Sequence, residues 1–175
     1  FLFKAGFLLV LGFGIYEIQA NPLSLRHTRE APPLAFHAEL LKPFTLGFEL
    51  VAADSLWLRV IQDIDYKDPG HNSKGWVFQM LDGITTLDHR FRIAYSAGST
   101  VLSVLVQDIE GARLLFERAI ANFPKDWSLN YRAGYHYLYE VKDCRRAAEL
   151  FQVAVDNGAP PWVASLIGRL YIATG

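Results

Sequence analysis

A helix-sized pattern recurs at a fixed distance in this chain. Ala112, Phe116 and Ala119, with Pro124 beyond them, are followed by Ala147, Phe151 and Ala154, with Pro160 beyond; each of the first three positions returns after 35 residues. Steps of four and three place each trio on one helix face, and the proline marks where the helix stops. A period of this size signals stacked helix pairs, because one pair cannot bury its own apolar face and needs a neighbour to do so. The expected architecture is all-α, a helix-turn-helix solenoid of three to four repeats.

The rest of the chain supplies the helices for such a stack. Residues 47–66 read as one long helix, with Leu50, Ala53, Trp57, Val60, Ile61 and Ile64 striping one face. Phe48, Val51, Leu56 and Leu58 spill beyond the stripe, so this helix is expected to be contacted on more than one side. Further helices are expected over 76–87, 90–104, 127–140 and 161–173, with two more opened by the N-caps Asp108 and Asp143 and running through Ile120 and Val155. No segment carries a strand pattern. Asp63, Asp65 and Asp68 resemble a calcium loop only superficially, since Lys67 stands where a carboxylate or amide belongs.

Upstream, residues 1–15 read FLFKAGFLLVLGFGI, apolar except for Lys4. A spanning helix needs about 20 apolar residues, and residues 1–18 with Lys4 snorkelling come close. A secretory signal ending near Ala20 and a buried core helix are the rival readings. The organisation expected is a transmembrane or signal-anchor helix over 1–20, a Pro-rich linker over 21–46 containing Pro22, Pro32, Pro33 and Pro43, and a helical repeat domain over 47–175. A single N-terminal anchor of this kind suits a bacterial inner (plasma) membrane protein with its domain on the periplasmic side.

Glycines recur at Gly98, Gly134 and Gly168, each in the first helix of a pair, and Tyr137 and Tyr171 follow the last two by three residues. Together with Ala112…Phe116…Pro124 and Ala147…Phe151…Pro160, this resembles the tetratricopeptide repeat family, whose pattern sets Gly-x-x-Tyr in one helix, Ala-x-x-x-Phe in the next, then Pro. The resemblance covers 91–175 well and 47–89 weakly. Asn130 and Ala164 stand where the family often has Trp, Val101 replaces the Tyr after Gly98, and Asp88 or His89 replaces the Pro. One extra residue is expected in the turn at 141–143. The resemblance implies that the first helix of each pair lines a concave binding face. Carried over, this selects Arg92, Tyr95 and Ser99, then Tyr131, Tyr135 and Tyr139, then Trp162, Ser165 and Arg169. The three tyrosines, at i, i+4 and i+8, form a ridge, and tyrosine joins large apolar area to a hydroxyl at low entropic cost.

The chemistry expected is binding rather than catalysis. The five histidines lack metal-ligand spacing, there is no phosphate loop or nucleophile elbow, and the lone Cys144 reads as a small core residue. A net charge of −1 offers no field for nucleic acid. No cofactor, metal or small-molecule substrate is expected. The partners expected are other subunits of a membrane complex for transport, secretion or pilus-type assembly, with the chain as scaffold or accessory subunit. A periplasmic assembly factor or chaperone is the alternative, and an enzyme regulator or peptidoglycan-associated protein a third.

Overall fold

Aspartates open three consecutive helices in the middle of the chain. The Asp108 carboxylate accepts from the Gly111 N–H at 2.9 Å, Asp126 from Ser128 and Leu129 at 3.0 and 3.1 Å, and Asp143 from Arg146 at 2.9 Å. Each satisfies a donor that the helix start leaves orphaned, worth about 1 kcal/mol. A computed structural model describes residues 41–63 and 75–174, all within one compact unit, Ala35–Gly175; of residues 63 and 171–174 only the backbone is described.

Among the described residues, seven helices follow one another. They are α1 (Glu49–Asp63), α2 (Trp76–Leu87), α3 (residues 92–106), α4 (Ile109–Asn122), α5 (residues 127–141), α6 (Cys144–Asp156) and α7 (Trp162–Thr174). A 3₁₀ turn, Lys42–Thr45, precedes α1, and there is no strand among the described residues. The all-α expectation holds, with helix ends within two residues of those read from the sequence wherever they can be compared. The last residues of the expected 47–66 helix lie outside the described residues. So does the apolar stretch 1–18, and no helix among the described residues is long and apolar enough to cross a membrane.

Packing is nearly one-dimensional. Each helix from α1 to α7 packs on the next in sequence, and α2 also touches α4, while α3 touches α5. The core falls into two clusters. One gathers α1 to α4 and Leu129 of α5, with Ala53, Leu81, Ile84, Tyr95, Leu102 and Leu115 buried; the other gathers α4 to α7 around Phe116, Phe151 and Val163. The repeated trio is buried in both copies: Ala112, Phe116, Ala119, Ala147, Phe151 and Ala154 are each at most 2% exposed.

Helices α3 and α5 share a device that no sequence pattern announces. Their stretches Ala94–Gly98, Val101–Val106 and Tyr137–Val141 are wound as π-helix. At the ends, Gln107 (φ 59°) and Lys142 (φ 65°) take the left-handed conformation, and the N–H groups of Asp108 and Asp143 return to the carbonyls of Leu102 and Tyr137, each at 2.9 Å. All three positions repeat after 35 residues. The extra residue expected in the 141–143 turn is therefore taken up inside the preceding helix, because a π turn accommodates one inserted residue without breaking the ladder.

Two of the recurring glycines mark close approach. A Cβ on Gly134 would lie 2.7 Å from the ring of Phe151 in α6, and one on Gly98 would lie 2.6 Å from Leu81 in α2. The third, Gly168, faces open space. Gly134→Ala is therefore expected to destabilise by about 1–3 kcal/mol through overpacking against a fully buried ring. Gly168→Ala is expected to stabilise by about 0.5–1 kcal/mol through helix propensity alone. Urea unfolding of the two variants checks the opposite signs.

Candidate functional site

The aromatic ridge on α5 exists, and it is continuous. Ring centroids step from Trp127 to Tyr131 at 6.5 Å, Tyr131 to Tyr135 at 4.9 Å, and Tyr135 to Tyr139 at 5.3 Å, the last pair stacked. Phe151 of α6 lies behind it, 5.8 Å from Tyr131 and 5.7 Å from Tyr135. Trp162 of α7 meets Tyr131 edge-on at 5.4 Å. The ridge is graded from core to surface: Tyr131 and Tyr135 are half-buried, whereas Tyr139 is 52% exposed. Burial and the neighbouring Tyr135 hydroxyl raise the Tyr131 phenol above its ordinary range, so it stays protonated.

Beside the ridge, α3 and α5 enclose a groove of about 410 Å³. Thr100, Ser103 and Val104 form the α3 wall. Tyr131, Arg132, Tyr135, His136, Tyr139 and Glu140 form the α5 wall, and Phe116 reaches in from α4. Arg132 and Glu140 set opposite charges on one wall, so the groove has no net field to select a charged ligand. Val104, 61% exposed, and Tyr139 leave apolar surface at its edge. The volume lies within the range of small binding sites, with mainly apolar walls and a few polar groups.

His136 is the polar centre. It is 3% exposed, its Nδ1 lies 2.9 Å from Ser103 Oγ, and its ring sits 5.3 Å from Phe116. Burial holds its pKa down at about 4; the Ile109 backbone opposes this, Arg113 adds to it, and Glu110 opposes it. The ring is thus neutral at physiological pH, and the hydrogen bond shared by its Nδ1 and the Ser103 hydroxyl ties α3 to α5. Among the described residues, no group makes a hydrogen bond of normal geometry with Nε2.

The other residues selected from sequence have different fates. Tyr95 is fully buried in the first core cluster, its hydroxyl accepting from Asn122 Nδ2 at 3.0 Å, so it does not present a binding surface. Ser99 is likewise buried. Arg92 is bound to Asp126 through two nitrogens, one at 3.1 Å, and this pair depresses the Asp126 pKa while Asp126 caps α5. Arg92 therefore locks α3 to the start of α5. Trp162, Ser165 and Arg169 are exposed on α7 but do not line the groove. Asn130, at the position of the family's Trp, is fully buried and donates to the carbonyls of Pro124 and Asp126, fixing the turn before α5.

Sequence reading missed Thr100, Ser103, Val104, Arg132, His136 and Glu140. The last three follow the tyrosines at helical spacing and were findable there. On the α3 wall, Thr100 and Val104 precede Tyr135 and Tyr139 by the 35-residue period and were findable from it, whereas Ser103 was not.

His136 also gives the site a pH signature. Its unfolded value of 6.5 lies above its folded value of about 4, so the unfolded chain binds the proton first. Its stabilising contribution is complete above pH 6.5 and is lost progressively down to pH 4, on the order of 3 kcal/mol in all. Thermal melts across this window are expected to fall steeply for the wild type, and His136→Gln is expected to flatten that slope.

No protein-family model, curated protein or solved structure matches this chain.

Proposed function

We propose that this chain is a non-catalytic interaction module of the tetratricopeptide type. In this reading the N-terminal apolar stretch holds it at a bacterial inner membrane, and its helical domain, on the periplasmic side, serves as scaffold or accessory subunit of a transport, secretion or pilus-type assembly. The groove between α3 and α5 takes an extended, uncharged segment of a partner protein. Its aliphatic or aromatic side chains would lie against Tyr135, Tyr139 and Val104, and its backbone would meet the hydroxyls of Thr100 and the tyrosines.

The observation that carries this reading is the joining of an apolar groove to a ring ladder that leads into the core. Tyr139 is exposed and stacked on Tyr135, which rests edge-on against the buried Phe151. An aromatic contact surface already rigid before binding loses little entropy on capture. The mixed charges of Arg132 and Glu140 favour a segment without net charge over an acidic tail. The same lack of charge selectivity suits the alternative, an assembly factor that holds varied clients transiently.

The test is affinity purification of the full chain from detergent-solubilised membranes, with and without Tyr135→Ala and Tyr139→Ala. The double variant is expected to retain its helicity while partner binding weakens about 10- to 100-fold, the scale of losing a buried aromatic anchor. Leu114→Ser, at an exposed site on α4, is expected to leave binding unchanged. Loss of helicity in the double variant would show that the rings serve the core alone. Stoichiometric recovery of fixed partners identifies a subunit; heterogeneous, substoichiometric recovery identifies a chaperone.

A further inference from the structure

The turn that leads into α1 exposes apolar side chains in an unusual concentration. Phe44 is 82% exposed, Leu46 83%, Phe48 68%, Leu50 62% and Val51 60%. These five lie within eight consecutive residues, and Leu58 and Ile61 extend the apolar surface along α1 at 57% and 52%. Monomeric proteins seldom show a contiguous apolar patch beyond a few hundred Å², so this one is expected to have an occupant.

The turn is built to hold those side chains out. Thr45 Oγ1 donates to the Lys42 carbonyl at 2.7 Å, and the Phe48 N–H returns to the Thr45 carbonyl at 2.8 Å, which closes the turn. Leu46 sits at φ 51° and Gly47 at φ 90°, and a Cβ on Gly47 would meet nothing within 4 Å. A leucine at positive φ is strained, and a side chain this exposed buries little area to compensate. On the other side of the turn, Leu41 packs against Gly83 in the core, anchoring it to the body of the fold.

We infer that the Phe44–Leu46–Phe48 tip inserts into the interfacial region of a lipid bilayer. A tip of projecting side chains suits a fluid acyl layer, whereas a protein partner would have to offer a separate pocket for each. Lys42, in the turn that carries the tip, supplies a cation for lipid phosphate; the carboxylates nearest to it in the sequence are Glu39, before it, and Glu49 on α1. Only 27 residues lie between Tyr16, at the end of the apolar N-terminal stretch, and Phe44. The inference rests on the membrane attachment proposed above and adds a second contact, which sets the domain down on the bilayer.

The experiment places an environment-sensitive nitrobenzoxadiazole probe on Leu46→Cys and, separately, on Phe48→Cys, with Cys144→Ala removing the native thiol. The full chain is reconstituted into phosphatidylcholine vesicles carrying spin-labelled lipids. Emission from both tip positions is expected to shift to the blue and to be quenched by the labelled lipid, while a probe at Ser165→Cys on α7 is expected to show neither. A chain that enters the vesicles with its tip probes still in water would overturn this inference and leave the anchor standing. A chain that does not associate with vesicles at all would overturn both. A blue shift without lipid quenching would place a protein surface, such as a second copy, against the tip and would also overturn it.

Discussion

Helix α4 is buried from two sides, and the rest of the fold is arranged around that fact. Ala112, Leu115 and Ala119 belong to the cluster formed with α1 to α3, while Phe116 belongs to the cluster formed with α5 to α7. Its polar side chains divide in the same way. Arg118 reaches back to α2, with Nη2 at 2.6 Å from Asp82 Oδ1 and Nη1 at 2.7 Å from Thr85 Oγ1. The adjacent Glu117 reaches forward, accepting from the Tyr137 hydroxyl and from Arg146 Nη2 at 3.3 Å. One turn of helix thus joins the two halves of the core. The partly exposed ion pairs contribute little stability themselves; their value is in fixing register, and buried carbon supplies most of the energy.

The groove is a consequence of that arrangement. Phe116 packs under His136 and also lines the groove, so the residue that opens the second core cluster is a wall of the candidate site as well. Polar ties then hold α3 beside α5. Ser103 meets His136 where the ring is buried, Arg132 donates to Thr100 Oγ1 at 3.4 Å, and Arg92 meets Asp126 at the start of α5. The close approach of Phe151 to Gly134 draws α6 up behind the tyrosines, which keeps the ridge from folding inward.

Much of this was legible in the chain. The 35-residue period identified the buried trio, and the aspartates at positions 108 and 143 opened their helices as expected. The tyrosine ridge followed from i, i+4 spacing because most of α5 is regular α-helix up to His136. The reading failed on α3 by one residue of register. Tyr95 and Ser99 precede Asn130 and Gly134 by the 35-residue period, and all four are buried, whereas the counterparts of Tyr131, Tyr135 and Tyr139 on α3 are Ser96, Thr100 and Val104. Arg92 was assigned by position alone, and its partner Asp126 lies 34 residues away, beyond the reach of local pattern. The spill of Phe48, Val51 and Leu58 beyond the first helix's stripe was visible in sequence; their exposure required the fold.

The account turns on whether the groove between α3 and α5 is where a partner sits. A photo-crosslinking amino acid introduced at Tyr139, and separately at Leu114 on α4, in the full chain within its native cells addresses this directly. The account expects Tyr139 to give a discrete crosslinked product whose attached peptide, identified by mass spectrometry, is a single uncharged segment, and expects that product to disappear with Tyr135→Ala; Leu114 should give none. A smear of products equal at both positions, or a Tyr139 product unaffected by Tyr135→Ala, would contradict it.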